Sequence, residues 1–142
     1  MNEYTFDEIK VGQTESFTKE ITVEMENMFR RITGDINPLH QDDFFAKKLG
    51  NERYKGHVSF GMLTASLCST LAGVYLPGKY SLIHSIDNIS FKKPVYAGDI
   101  LSVTGTVASK QEDLKLILVN VKILNQDNKV VFKANMKILV QQ

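Results

Sequence analysis

Apolar and polar residues alternate along most of the second half of the chain, and this two-residue period is typical of half-buried strands. The runs predicted to be strands cover residues 80–91, 101–107, 114–124 and 130–140. A bulge is expected near Asp87 and Asn88, and the polar residues at 126–128 predict a hairpin turn before the last strand. The same alternation at residues 15–21 predicts one earlier strand.

Helical spacing of apolar residues replaces this alternation after residue 21. Thr22 is placed to cap a helix, and the acidic Glu24 and Glu26 in its first turn match the positive end of the helix dipole. A stripe of apolar residues is expected to contact the core, and it consists of Met25, Met28, Phe29 and Ile32. A second, short helix, capped by Asp42, is predicted to end at Gly50.

Residues 58–76 carry no charged side chain, and residues 61–76 are apolar or small almost all round. A helix without a polar face is buried rather than amphipathic. Pro77 and Gly78 end this helix. One buried helix followed by a series of long antiparallel strands predicts an α+β fold, in which a curved sheet wraps around the central helix.

Length and composition point most simply to one domain, residues 1–142, with enough chain for a hydrophobic core. Hydrophobic residues make up 43% of the chain and charged residues 23%, as in ordinary globular proteins. The net charge of +1 argues against nucleic acid as a partner, and is compatible with a modest basic patch for a phosphate-bearing ligand. No segment reaches the length of a membrane span and no signal peptide is evident, so the expected location is the cytoplasm.

Cys68 is the only cysteine, and it lies within the apolar segment. It therefore predicts neither a disulfide nor a metal site. We expect its side chain to be a small buried group rather than a nucleophile. No bound metal and no separate cofactor are expected.

Residues 33–40, Thr-Gly-Asp-Ile-Asn-Pro-Leu-His, place a carboxylate and an imidazole on one stiff loop. Gly34 ends the preceding helix, and Pro38 prevents a helix from continuing. The side chains of Asp35 and His40 can then converge on one small molecule, and a carboxylate that holds an imidazole in one tautomer suits acid–base chemistry near neutral pH. A turn-forming aspartate beside a solvated histidine is an equally good interpretation of the same residues.

Four motifs in a fixed order give the chain a resemblance to a known family. Residues 29–46 read FRRITGDINPLHQDDFFA, and the later motifs are FGMLTAS at 60–66, LPG at 76–78, and FKKPV at 91–95 leading to Gly98-Asp99. Their order and spacing resemble the MaoC-like (R)-specific enoyl-CoA hydratase family over most of the chain.

The resemblance implies a hot-dog fold and a homodimer or larger homo-oligomer whose sheets join edge to edge. It also implies an (R)-specific hydro-lyase that adds water to a trans-2-enoyl thioester or removes it from a 3-hydroxyacyl thioester. By the family's pattern, Asp35 and His40 hold the attacking water between them. The backbone N–H of Gly61, at the start of the central helix, is then expected to bind the thioester carbonyl.

Supporting roles follow for four further residues. Asn37 is expected to fix the loop through backbone hydrogen bonds. Ser66 aligns with a family serine near the site, and a helix serine that bonds to its own backbone is an equal alternative. Lys92 and Lys93 are expected to meet the phosphates of coenzyme A, or of the pantetheine arm of an acyl carrier protein, which belong to the substrate.

Phe60 departs from the family's pattern, because many members carry histidine before this Gly-Met pair. We expect Phe60 to line the substrate site and to change its shape. His57, three residues earlier, is expected to be an ordinary loop residue, and His84, on a predicted strand, is expected to be structural. The acyl chain length, the thioester carrier and the direction of the reaction stay open.

Two other functions also stay open. A hot-dog thioesterase would cleave the thioester, but such enzymes usually rely on an acidic residue in the central helix, and residues 61–76 contain none. A non-catalytic hot-dog domain that binds acyl groups has no need of both Asp35 and His40.

Overall fold

Five antiparallel strands form one sheet, in the order β1-β3-β4-β5-β2. The computed structural model describes all of residues 1–142. The strands are β1 Thr14–Glu20, β2 Ser81–Phe91, β3 Ile100–Gln111, β4 Leu116–Leu124 and β5 Val130–Val140. Every strand predicted from the alternation is therefore present, with its ends shifted by a few residues. The predicted bulge is present as well, since the β2–β5 register shifts between Asp87 and Ser90.

Three α-helices precede most of the sheet: α1 Val23–Thr33, α2 Asp43–Leu49 and α3 Gly61–Thr70. The predicted central helix changes type part-way, because α3 continues into a π-helical turn at Leu71–Tyr75. In that turn the Leu76 N–H donates to the Leu71 carbonyl at 2.8 Å, five residues back instead of four. None of the helices is both long enough and apolar enough to cross a membrane.

The core lies between the sheet and the segment made of α3 and its π-helical turn. Buried side chains of that segment meet the inward-facing side chains of the strands, and the core includes Leu67, Cys68, Leu71, Val103, Val119, Phe132, Met136 and Ile138. Burying each large side chain contributes on the order of 1.5–3 kcal/mol. The prediction of an α+β fold with a sheet around a buried central helix is confirmed.

The apolar stripe of α1 is only half buried. Met25 and Phe29, one turn apart, pack against the core. Met28 and Ile32 form the neighbouring row of the helix and are 49% and 79% exposed. The expectation that the whole stripe contacts the core is therefore wrong for these two residues, because α1 turns only one row of its apolar side chains toward the sheet.

Predicted caps fix the ends of the helices around the 33–40 loop. Thr22 Oγ1 accepts a hydrogen bond from the Met25 N–H at 3.1 Å, and Asp42 Oδ1 accepts one from the Phe45 N–H at 2.9 Å. Gly34 has φ +74°, and its N–H donates to the Arg30 carbonyl in the last turn of α1. The loop therefore leaves α1 in a defined direction.

Gly105 in β3 should be sensitive to substitution, because the π-helical turn approaches the sheet there. A Cβ at this position would lie 2.8 Å from Leu71 Cδ2 and 3.0 Å from Val119 Cγ1, and Leu71 is fully buried. We expect Gly105→Ala to lower the free energy of unfolding by about 1–3 kcal/mol, measured by urea denaturation.

Gly73→Ala, within the π-helical turn itself, is the matched control. The nearest atom to its added Cβ is Ser81 Oγ at 4.0 Å, so no loss of stability is expected. Equal stability of the Gly105→Ala variant and the unsubstituted protein would contradict the close approach of turn and sheet.

Candidate active site

The loop between α1 and α2 is folded by its own side chains. Asp35 Oδ1 accepts a hydrogen bond from the Asn37 N–H at 3.0 Å, and Asn37 Oδ1 accepts one from the Leu39 N–H at 3.0 Å. Pro38 then begins a short 3-10 turn that ends at His40. These bonds use one carboxylate oxygen of Asp35, so the other oxygen, Oδ2, is available to face the imidazole.

The ring of His40 is held from behind by a backbone carbonyl. Its Nδ1 lies 2.7 Å from the Val58 carbonyl oxygen, and the Val58 N–H donates to the Leu39 carbonyl at 2.9 Å. A carbonyl oxygen only accepts hydrogen bonds, so Nδ1 must carry the ring proton. In the neutral ring, Nε2 therefore presents a lone pair, as a general base requires.

Asp35 faces the basic nitrogen without bonding to it. Its Oδ2 lies 3.9 Å from His40 Nε2, which is too long for a direct hydrogen bond. Two hydrogen bonds of about 2.8 Å each can span that distance through one water molecule. The expectation that the carboxylate holds the tautomer is therefore wrong, because the carbonyl of Val58 does so.

Phe60 packs directly on the imidazole. Its ring centroid lies 4.4 Å from that of His40 and 5.1 Å from that of Phe29, and Phe60 is only 2% exposed. Arg30 Nη2 donates to the His40 carbonyl at 3.2 Å. Phe60 thus forms the apolar support of the ring, in addition to lining a cavity.

Two cavities meet at His40 and Gly61. The first, here called the Asp35 cavity, measures ≈ 260 Å³ and is lined by Phe29, Thr33, Asp35, His40, Phe60, Gly61 and Met62. The second, here called the Lys92 cavity, measures ≈ 300 Å³ and is lined by His40, Tyr54, Val58, Ser59, Gly61, Thr64, Phe91, Lys92, Lys93, Pro94, Val95 and Val131. Asp35 is the only carboxylate that lines either cavity.

Gly61 presents a free backbone donor to both cavities. It is the first residue of α3, and its N–H forms no backbone hydrogen bond. A Cβ at Gly61 would lie 3.0 Å from Phe91 Cε1, so only glycine fits without moving that ring. The free N–H and the positive end of the helix dipole favour a carbonyl oxygen that gains negative charge.

Two buried hydroxyl groups without partners also line the Lys92 cavity. Ser59 is 3% and Thr64 2% exposed, and neither Ser59 Oγ nor Thr64 Oγ1 has a hydrogen-bond partner in the chain. Buried polar atoms are nearly always paired, so a ligand or a water molecule is the expected partner. Sequence reasoning missed both residues, although two hydroxyls that flank Phe60-Gly61 in an apolar segment were a usable signal.

The remaining predicted residues separate into two groups. Lys92 and Lys93 line the cavity that contains His40. Ser66 lines neither cavity, because its Oγ donates to the Leu63 carbonyl at 2.6 Å on the exposed face of α3. The structure therefore matches the alternative interpretation, in which this serine bonds to its own helix.

Burial raises the pKa of Cys68 to about 11, so this thiol is no nucleophile.

The sequence position of His57 predicted an ordinary loop residue, and this prediction is wrong. Its Nδ1 lies 2.6 Å from Asp43 Oδ1, and its Nε2 lies 3.0 Å from Glu26 Oε1, so it bridges α2 and α1. His84 lies exposed on β2. The bridge joins residues that are far apart in sequence, which is why a local pattern did not predict it.

The chain is similar to known proteins over most of its length. The family model described as a MaoC-like domain matches residues 7–129. The chain belongs to the MaoC-like family. A solved structure described as an (R)-hydratase from A. caviae involved in PHA biosynthesis shares this fold, with a TM-score of 0.85 and 30% identity over 93% of this chain and 97% of that one.

Two relatives of the chain have names that state an activity. The (R)-specific enoyl-CoA hydratase of Aeromonas caviae is 36% identical over 118 residues, which is 83% of this chain and 85% of that protein. The 3-hydroxybutyryl-CoA dehydratase of Methylorubrum extorquens is 35% identical over 103 residues, which is 72% of this chain and 63% of that protein. The expected family, hot-dog fold and hydro-lyase class are confirmed.

The unpaired hydroxyl of Thr64 should cost stability in the free protein. Thr64→Val keeps the shape of the side chain and removes a buried hydroxyl that no group of the chain bonds, so we expect the free energy of unfolding to rise by about 1 kcal/mol. Thermal and urea unfolding measure this change. The same substitution at the exposed Thr18 is the control and should change little, and a clear loss of stability in Thr64→Val would contradict the unpaired state.

Proposed function

We propose that this MaoC-like protein is an (R)-specific hydratase/dehydratase that adds water to a trans-2-enoyl thioester and removes it from the corresponding 3-hydroxyacyl thioester. The observation that carries the proposal is the 3.9 Å gap between Asp35 Oδ2 and His40 Nε2, beside the free N–H of Gly61. The (R) configuration is taken from the name of the relative in Aeromonas caviae. The gap suits a reaction in which water is the substrate.

In the hydration direction, Asp35 Oδ2 and His40 Nε2 hold one water molecule. His40 Nε2 takes a proton from it while the water oxygen forms a bond to C3 of the enoyl group. The electrons of the C2–C3 double bond move toward the thioester carbonyl. The proton on Nε2 then passes to C2 on the same face, so no proton is gained or lost overall. Dehydration follows the same steps in reverse.

Gly61 supplies the stabilisation of charge that this step requires. Its N–H donates to the thioester oxygen as negative charge develops there, and the dipole of α3 supports the same charge. Removing one such donor typically costs about two to three orders of magnitude in rate. The hydroxyls of Ser59 and Thr64 lie in the wall of the same cavity and offer further hydrogen bonds to the bound thioester.

Lys92 and Lys93 give the Lys92 cavity a positive wall without any carboxylate. A thioester carried on coenzyme A or on the pantetheine arm of an acyl carrier protein brings phosphate groups with it. We therefore assign the phosphate-bearing arm to the Lys92 cavity. The water then belongs to the Asp35 cavity, so the two parts of the substrate meet between His40 and Gly61.

The two edges of the sheet differ, which bears on the proposed homodimer. On the edge strand β2, Leu82, Ile89 and Phe91 are 54%, 39% and 51% exposed. The other edge strand, β1, exposes only polar residues. An exposed apolar edge is a liability unless another strand covers it. We propose that two copies of the chain pair through β2.

Leu82→Lys is expected to weaken this dimer, because a charged side chain on an edge strand opposes pairing. The measurement is the molar mass from light scattering during size-exclusion chromatography. Thr18→Lys, on β1, is the matched control and should leave the mass at twice that of the chain. A monomeric unsubstituted protein, or dissociation caused by the β1 variant alone, would contradict pairing through β2.

Asp35→Asn and His40→Ala are expected to lower turnover by roughly 10²–10⁴-fold each, because both remove a partner of the reacting water. Turnover of crotonyl-CoA is followed by loss of the conjugated enoyl-thioester absorbance, with free thiol measured in parallel. Asp35→Asn keeps the oxygen that accepts the Asn37 N–H, so its unfolding transition should change little. His40→Ala loses the hydrogen bond to the Val58 carbonyl and the contact with Phe60, so it should also lower stability.

Asp113→Asn, at an exposed turn, is the control and should keep full activity. Loss of conjugation without free thiol is the expected result for the unsubstituted protein. Thiol release would instead indicate a thioesterase, and near-full activity of either site variant would refute the proposed roles.

A further inference from the structure

Three side chains outside the two cavities form a cluster, here called the His57 clamp: Glu26 of α1, Asp43 of α2 and His57. His57 Nε2 lies 3.0 Å from Glu26 Oε1, and His57 Nδ1 lies 2.6 Å from Asp43 Oδ1. The Glu26 side chain is 2% exposed, which is rare for a carboxylate without a specific partner. These side chains are not arranged to hold a metal ion.

The clamp is connected to His40 through one residue of backbone. The His57 N–H also donates to Asp43 Oδ1, at 2.8 Å. The next residue, Val58, offers the carbonyl that accepts the proton of His40 Nδ1, and the Ser59 N–H donates to the Val95 carbonyl at 2.7 Å. The position of the Val58 carbonyl is therefore fixed from both sides, and on the amino-terminal side by the clamp.

Helix α1 holds both halves of this arrangement. Glu26 and Arg30 lie one turn apart on α1. Glu26 bonds the His57 ring, and Arg30 bonds the His40 carbonyl at 3.2 Å. His40 and the Val58 carbonyl that sets its tautomer are thus both anchored to α1.

We propose that His57 is a positioning residue for the reaction: through the His57 clamp it keeps the Val58 carbonyl on Nδ1 of His40, and so keeps Nε2 free to act as the base toward Asp35. This inference rests on the proposed function for its kinetic consequence. Its structural consequence, the tautomer of His40, does not depend on which reaction the protein catalyses.

The geometry of the clamp also sets the charge of His57. Both ring nitrogens face carboxylate oxygens, and a carboxylate accepts hydrogen bonds, so both nitrogens must carry protons and the ring is positive. Burial alone would lower the pKa of His57, but the hydrogen bonds and charges of Glu26 and Asp43 together raise it. The His57 N–H and ring in turn lower the pKa of Asp43.

Other charged groups near His57 are already engaged or more distant. Lys55, Tyr96 and Asp99 line the cavity that His57 borders. Asp99 accepts hydrogen bonds from the Tyr96 N–H and from Gln126 Nε2, both at 2.9 Å. On α2, Lys47 lies close enough to favour the charged form of Asp43. Glu26 and Asp43 are therefore the charged groups in contact with the ring.

The clamp should act over a defined pH range. Since the pKa of His57 is raised above 6.5, its contribution is complete below pH 6.5 and is lost as pH rises through the raised value. Since the pKa of Asp43 is lowered below 3.8, its contribution is complete above pH 3.8 and is lost as pH falls through the lowered value. A neutral His57 keeps one N–H and can satisfy only one of the two carboxylates.

The kinetic test compares His57→Gln, Glu26→Gln and Glu24→Gln over pH 6–9. His57→Gln should lower kcat by roughly 10- to 100-fold below the pKa of His57, with KM changed much less, because a displaced base costs rate more than binding. The ratio of unsubstituted to variant kcat should shrink as pH rises, since the native ring then loses its charge. Glu26→Gln removes one carboxylate from the His57 ring, so the ring should lose its charge at a lower pH than in the unsubstituted protein. Glu24→Gln, an exposed change on the same helix, should behave as the unsubstituted protein.

A second measurement reads the tautomer directly. Nitrogen-15 NMR of the histidine rings should show the proton of His40 on Nδ1 in the unsubstituted protein and in Glu24→Gln, and a mixture of tautomers in His57→Gln. If His57→Gln does not fold, Glu26→Gln gives the same comparison with the histidine retained. Because this signal needs no substrate, it tests the positioning role even if crotonyl-CoA is not turned over.

Two results would overturn the inference. One is an unchanged His40 tautomer in both clamp variants. The other is a kcat ratio for His57→Gln that is the same at every pH, because a merely structural role would lower activity uniformly. The first result would leave the proposed reaction intact even if the variants lost activity.

Discussion

The hydrogen bond between His40 Nδ1 and the Val58 carbonyl is the constraint on which the site depends. At 2.7 Å it assigns the ring proton to one nitrogen and leaves the other as a base. The base then faces a carboxylate across a gap that fits one water molecule. Without that bond the same two side chains would be a turn-forming aspartate and a freely rotating histidine. The basic nitrogen of His40 therefore depends on a backbone carbonyl of a second loop, the one before α3.

The fold brings this second loop into place by long-range contacts. The sheet buries α3 and thereby fixes Gly61, whose N–H stays free where a carbonyl oxygen can reach it. Around it, the hydroxyls of Ser59 and Thr64 are buried without partners. Such groups cost stability in the free protein, and their grouping at one cavity indicates a site that binds a polar ligand.

Local pattern was enough to predict the strands, the caps at Thr22 and Asp42, and the loop that carries Asp35 and His40. The Val58 carbonyl and the partners of His57 could not be predicted in the same way. His40 bonds a residue 18 positions away, and His57 bonds Glu26 from 31 positions away. A backbone acceptor also has no signature in side-chain sequence, since any residue could supply the carbonyl. The exposure of Met28 and Ile32 on α1 was not predicted for a related reason, because helical spacing alone does not determine which row of apolar side chains packs against the sheet.

The most direct test of this site is a neutron diffraction structure of the free protein, because it locates protons and water hydrogens. We predict a proton on His40 Nδ1, none on Nε2, and one ordered water within about 3 Å of both Nε2 and Asp35 Oδ2. A proton on Nε2 that bonds Asp35 directly, with no water between them, would contradict this prediction. The site would then be a structural ion pair rather than a water-activating one.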